Sequence, residues 1–101
     1  MIIYNVTIKV TSAIKNDWLA WLKQVHIPDV LATKCFLKAT VLYLLEMDDS
    51  EGPTYAIQYL AENINAYERY ISEFSGIMRQ RSFDRWGDQF IAIRTVMEVV
   101  N

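Results

Sequence analysis

The chain carries one histidine and one cysteine, so few of its side chains can move a proton or hold a metal. His26 stands in "WLAWLKQVHIPDV", residues 18 to 30, directly before an Ile27–Pro28 step. Proline disfavours helical backbone at the residue before it, so a helix bearing the two tryptophans of this stretch is expected to end near His26. Carbonyl dipoles at a helix C-terminus favour the imidazolium, which would let His26 titrate near neutrality, with Asp29 placed to orient it. Two roles follow. His26 is either a general acid or base, or polar anchor, at a pocket rim, or a cap that bonds the last helix carbonyls. Arg94, in the final apolar stretch, is the second candidate, because a guanidinium forks onto planar oxygen pairs. Its alternative is a structural pairing with Glu98. Period-two alternation is read as placing Asn5, Thr7 and Gln58 on the same sheet face as Arg94. These four are the expected ligand-binding residues, and His26 and Arg94 the expected catalytic pair. A small carboxylate or enolate-like ligand suits that set.

Other chemistries lack their parts. No distinctive serine accompanies the histidine, so no Ser-His-Asp set can be drawn. One His and one Cys cannot build a metal centre, three scattered glycines make no phosphate loop, and no cofactor is called for. Cys35 has no disulfide partner and reads as a small buried hydrophobe. A net charge of −2 and a pI near 5.3 give no electrostatic footprint for nucleic acid. Arg79, Arg81 and Arg85 cluster in "MRQRSFDR", but Asp84 sits among them and the run reads as a solvated helix face. The acidic cluster 48–51 reads as a turn, since its spacing is not that of a calcium loop. The N-terminus lacks the pattern of a signal peptide, no apolar run spans a membrane, and the expected location is the cytoplasm.

The elements that would position these residues follow from hydrophobic period. "IIYNVTIKV", residues 2 to 10, alternates as a half-buried strand. Ile14, Trp18, Trp21, Leu22 and Val25 form a helical stripe, with Thr11 or Ser12 as N-cap, and "PDVLAT" can start a new turn at Pro28. Residues 36–47 read as a strand, 48–53 as a turn and 54–61 as the returning strand. A second helix is expected over 62–87, with Ile64, Tyr67, Ile71, Phe74 and Met78 inward, a bend near Gly76 and a stop at Gly87. "QFIAIRTVMEVV" is the last strand. The order β-α-β-β-α-β predicts an α+β, ferredoxin-like single domain over 1–101, with a four-stranded antiparallel sheet and both helices on one face.

The uncovered sheet face then becomes informative. Leu42, Leu44, Leu60, Phe90 and Val96 are assigned to it, a patch larger than a monomer usually exposes. A homodimer through this open face is therefore expected, since two-fold pairing of one surface with itself is the commonest oligomer. A ligand cleft is expected between the first helix and the open face. The competing class is a non-catalytic module that recognises a protein partner, with His26 only a cap.

The pattern resembles the dimeric α/β-barrel superfamily, which includes small antibiotic-biosynthesis-type monooxygenases. It is more closely similar to a family of small bacterial proteins of unknown function. The likeness rests on "MIIYNVT" (1–7), "W-x-x-W-x-K-x-x-H-I-P-D-V-L-A-T" (18–33), "Y-x-I-Q-Y" (55–59) and "F-x-A-x-R-T-x-x-E-V-V" (90–100). The resemblance implies a barrel-like homodimer with a pocket between sheet and helices, where relatives carry out oxygenase, isomerase or degradation chemistry, often without metal or bound flavin.

Overall fold

A computed structural model describes all 101 residues. Strand β1 (Ile2–Val10) is followed by helix α1 (Lys15–Trp21), a π-helical turn (Leu22–His26) and helix α2 (Ile27–Ala32). Then come β2 (Lys38–Tyr43), β3 (Thr54–Ala61), α3 (Ile64–Glu73), α4 (Ser75–Trp86) and β4 (Phe90–Glu98). The strands form one antiparallel sheet in the order β2-β3-β1-β4, and the fold is ferredoxin-like, as the element order predicts. Strand β1 lies in the interior of the sheet, paired to β3 through Val6↔Ile57 and to β4 through Val6↔Arg94.

The first helical segment departs from expectation. It does not end at His26, for Trp21, Leu22, His26 and Ile27 all keep right-handed helical angles. The Ile27 N–H donates to the Leu22 carbonyl, five residues back, so the turn is widened. Proline lacks an N–H and its ring collides with the carbonyl four residues earlier in a regular helix; a single π turn relieves this without breaking the rod. The turn also explains a spacing in the sequence. Ile14, Trp18, Leu22, His26 and Val30 recur every four residues, and a 3.6-residue helix drifts by about 40° at each such step. One extra residue absorbed in the π turn cancels most of the drift. Ile14, Trp18, Leu22 and Val30 are accordingly buried, while Val25, expected on the inward stripe, is exposed. Thr11 and Ser12 do not cap; the helix is entered through Ile14 with no side-chain cap.

Strand β2 is shorter than expected. It stops at Tyr43, and Glu46 adopts a positive φ of 60° that an extended strand cannot contain. The connection folds back onto the end of β1: the Val10 N–H donates to the Pro53 carbonyl and the Ser12 N–H to that of Glu51. Gly52 sits at this contact with φ 146°, where a Cβ would fall 1.8 Å from the Val10 carbonyl oxygen. The second helix is two helices. Its bend lies at Phe74, with φ −126° and ψ −29°, rather than at Gly76, and the Ser75 hydroxyl donates to the Ile71 carbonyl across it. Asn63 caps α3 by accepting the Ala66 N–H at 2.9 Å.

The core lies between the sheet and the helices. Tyr4 packs its ring against Phe36, Tyr59, Tyr67 and Tyr70 at centroid distances of 5.5–6.1 Å, and Trp18 stacks on Tyr55 at 5.6 Å. Cys35 is a buried free thiol within this cluster.

Candidate functional site: a cationic, aromatic-walled cavity

Strand pairing decides which residues share a face, because partners across an antiparallel ladder point the same way. Tyr4, Val6 and Ile8 of β1 point toward the helices, and their β4 partners are Val96, Arg94 and Ala92. Arg94 therefore lies on the helix-covered side. β4 is inverted relative to the expected assignment: Phe90, Ala92, Arg94 and Val96 face inward, while Ile91, Ile93 and Met97 face out. Asn5, Thr7 and Gln58 lie on the outward face. There Asn5 Nδ2 donates to Thr7 Oγ1 at 3.0 Å, and Asn5 is registered with Gln58 and Thr95. The four expected ligand-binding residues are thus divided by the sheet. No cleft joins the first helix to the open face, because the helix covers the opposite side.

The division brings His26 and Arg94 together. A cavity of about 250 Å³ opens between the covered face of the sheet and the helices, and both residues line it. Ten of its 14 lining residues are hydrophobic; Tyr4, Tyr59 and Tyr70 supply aromatic wall, and Phe83 and Phe90 add to it. The polar members include Ser82 and Arg79 of α4, neither of which is among the residues expected from the sequence. Their i, i+3 spacing on a helix that bounds the sheet was the available signal, hidden in a charged run that looked like solvated surface. No carboxylate lines the cavity. Of the two ion pairs in the chain, Arg69–Glu73 and Arg81–Asp29, neither uses Arg79 or Arg94. Arg94 does not pair with Glu98.

His26 is neither a cap nor near its ordinary pKa. Its ring stacks on Trp21, centroids 4.9 Å apart and planes 24° apart, and Trp21 meets the edge of Trp86 at 5.9 Å. Burial pushes the imidazole down from 6.5 to about 4; Asp29 opposes this, and Arg81 and Arg94 reinforce it. The ring is neutral at physiological pH, contrary to the expectation from a helix end, because it is buried in a segment where the helix runs on. Burial likewise raises the hydroxyls of Tyr59 and Tyr70 well above 10, so both stay protonated.

The expected roles of the remaining basic cluster resolve individually. Arg81 bonds Asp29 at 3.5 Å, Arg85 lies over the Trp86 ring at 4.0 Å, and Gln80 reaches Asp84 at 2.7 Å. The protein contains no group of His, Cys, Asp and Glu suited to a metal ion, and no helix long and apolar enough to cross a membrane.

Residues 1–100 match the family model described as a domain of unknown function, DUF4286. The chain belongs to this family. No curated protein matches the DUF4286 chain in sequence, but solved structures share its fold. One is a dimeric ferredoxin-like protein from an uncultured marine organism, with TM-score 0.75 and 10% identity over 99% of this chain and 95% of that one. A second such protein, also from an uncultured marine organism, gives 0.71 and 12% over 100% and 96%. SnoaB, a cofactor-independent oxygenase from Streptomyces nogalater, gives 0.68 and 9% over 99% and 94%. At these identities the likeness establishes the fold.

Proposed function

We propose that this DUF4286 protein binds a small organic anion in the cavity between the sheet and its helices, with an apolar or aromatic body against the tyrosines and its oxygens on the guanidiniums. The observation that carries this reading is the charge pattern: Arg79 and Arg94 line an apolar cavity that offers no carboxylate, and neither is in an ion pair. The ligand supplies the missing negative charge. A volume of about 250 Å³ lies below the roughly 300–1,000 Å³ of drug-sized sites, which suits a molecule of one or two rings. Asn5, Thr7 and Gln58, on the other face, are no part of this site.

A neutral imidazole beside a guanidinium is also the arrangement that removes a proton from a carbon or hydroxyl acid. His26 would accept the proton, and Arg94 would stabilise the charge left behind. This needs no cofactor from the protein, and the fold hosts a cofactor-independent oxygenase in SnoaB. The second reading, a non-catalytic module with His26 as a cap, is less favoured because His26 lines an open cavity instead of ending a helix.

A second copy of the chain is the proposed partner, seated on the outward sheet face. Ile91 and Ile93 are 70% and 66% exposed there, alongside exposed Leu42 and Met97, and two neighbours of the same fold are described as dimeric. A cytoplasmic location accords with one unpaired cysteine.

Thermal-shift screening of small aromatic and aliphatic acids tests the site. Binders should raise the Tm of the wild type, and Arg94→Ala should weaken them about tenfold, one charge-assisted hydrogen bond being worth roughly 1.5–3 kcal/mol. His26→Ala should leave binding largely intact and lower any turnover. Variants that respond like wild type to every binder would show that these residues are structural.

A further inference from the structure

The cavity has two unlike ends. Arg79 of α4 and Arg94 of β4 are exposed, so the guanidiniums stand at its mouth, along one edge of the sheet. Tyr4 of β1, Tyr59 of β3 and Tyr70 of α3 are 4%, 3% and 4% exposed and line its inner end, over the two interior strands. We propose that this inner end is a second polar subsite: the tyrosine hydroxyls bond a hydroxyl or carbonyl oxygen of the ligand, so the molecule held is an oxygen-bearing organic acid seated with its acid group outward. The inference rests on the reading of the cavity as an anion site and adds the far end of the molecule.

A buried hydroxyl that bonds nothing is costly, and these three bond no protein group. Tyr43 is the one tyrosine whose hydroxyl reaches a protein acceptor, on Asp49. Nor are the three sealed in the core, for the side-chain polar atoms that are both enclosed and without a partner belong to Asp49, Thr54 and Trp86. The cavity that the three residues share is where their hydroxyls meet a partner. The rings stand together, the Tyr4 centroid 6.1 Å from that of Tyr59 and 5.8 Å from that of Tyr70. Burial keeps Tyr59 and Tyr70 protonated, and a phenol O–H can both donate and accept. The spacing suits a small molecule. Arg94 is registered with Val6, two residues from Tyr4 on the same face of β1, a separation of about 6.8 Å along the strand. One benzene ring with para substituents spans a comparable length.

Benzoate, 4-methylbenzoate and 4-hydroxybenzoate probe the two ends separately, since the last two exchange a methyl for a hydroxyl of similar size. Calorimetric titrations would compare wild type, Tyr4→Phe, Tyr59→Phe, Tyr70→Phe and the triple variant. Wild type should bind 4-hydroxybenzoate about tenfold more tightly than 4-methylbenzoate, because the methyl leaves buried hydroxyls unpaired. Each single variant should reduce that preference, and the triple variant should lose it while binding benzoate as wild type does. A second measurement uses no ligand. Hydroxyls kept for a ligand hold nothing together in the free protein, so the triple variant should unfold at the same urea concentration as wild type or a higher one. The proposal is overturned if the preference is absent from wild type, if it survives in the triple variant, or if the triple variant is less stable, the hydroxyls then serving the fold. Failure of all three acids to bind overturns the anion reading as well, whereas equal binding of all three overturns the hydroxyl subsite alone.

Discussion

Strands β1 and β4 are neighbours of equal length, nine residues each, and pair along their whole extent. They are nonetheless opposite in character. In β1, the residues turned toward the helices are core: Tyr4 is 4% exposed and is touched by four aromatic rings. In β4, at the sheet edge, the side turned toward the helices carries exposed Arg94, and the side turned away carries the isoleucines. An interior strand has its faces assigned by the core it must complete. An edge strand in this fold gives one face to a cavity and leaves the other uncovered, and here the more apolar face points outward.

The comparison can be broken most forcefully at Tyr4. Its replacement by Ala removes a ring from the middle of the aromatic cluster and should cost about 3–5 kcal/mol, measured by urea unfolding. On β4, Ile93→Glu should leave the fold standing and act on self-association instead. Burying an unpaired carboxylate between two sheets costs about 3 kcal/mol or more, which weakens dimerisation by at least about a hundredfold; sedimentation equilibrium reads it directly.

A smaller and chemically distinct effect is expected one residue along. Arg94→Gln should alter unfolding free energy by no more than about 0.5 kcal/mol, as an exposed substitution does, while lowering affinity for an identified anion about tenfold in the thermal-shift assay. A further effect concerns pH. His26 in the folded protein sits near 4 against an ordinary 6.5, so between these values the unfolded chain binds the extra proton. Stability is therefore lost as pH falls through that window, from the unfolded value toward the folded one. His26→Gln should flatten this part of the profile. Denaturant midpoints at about pH 7 and about pH 5 should converge in the variant relative to wild type.

The order of elements, the span of β1 and β3 and the inward residues of those two strands were legible because alternation coincides there with burial. The inversion of β4 has a physical cause: alternation separates two faces but does not say which is inside, and the usual guide, greater hydrophobicity inward, fails on this edge strand, whose outer face carries exposed Ile91, Ile93 and Met97. Ile91, Ile93 and Met97 are more apolar than Phe90, Ala92 and Arg94 taken together, and the rule chose the wrong side. His26 lines the cavity, but its electrostatics run opposite to the expectation from a helix end. The four-residue recurrence from Ile14 to Val30 was the available sign that Pro28 is absorbed by a π turn instead of ending the helix. Arg79 escaped notice because a basic run with an interspersed Asp looks the same whether it faces solvent or a cavity; only the packing of α4 over the sheet separates them.

That β4 divides its faces between assembly and ligand is best tested on two adjacent residues. Sedimentation velocity at micromolar concentration would compare the wild type with Ile93→Glu and Arg94→Gln. Wild type and Arg94→Gln should sediment as dimers and Ile93→Glu as a monomer of about 12 kDa. A monomeric wild type, or an Arg94→Gln variant that dissociates as Ile93→Glu does, would contradict the assignment.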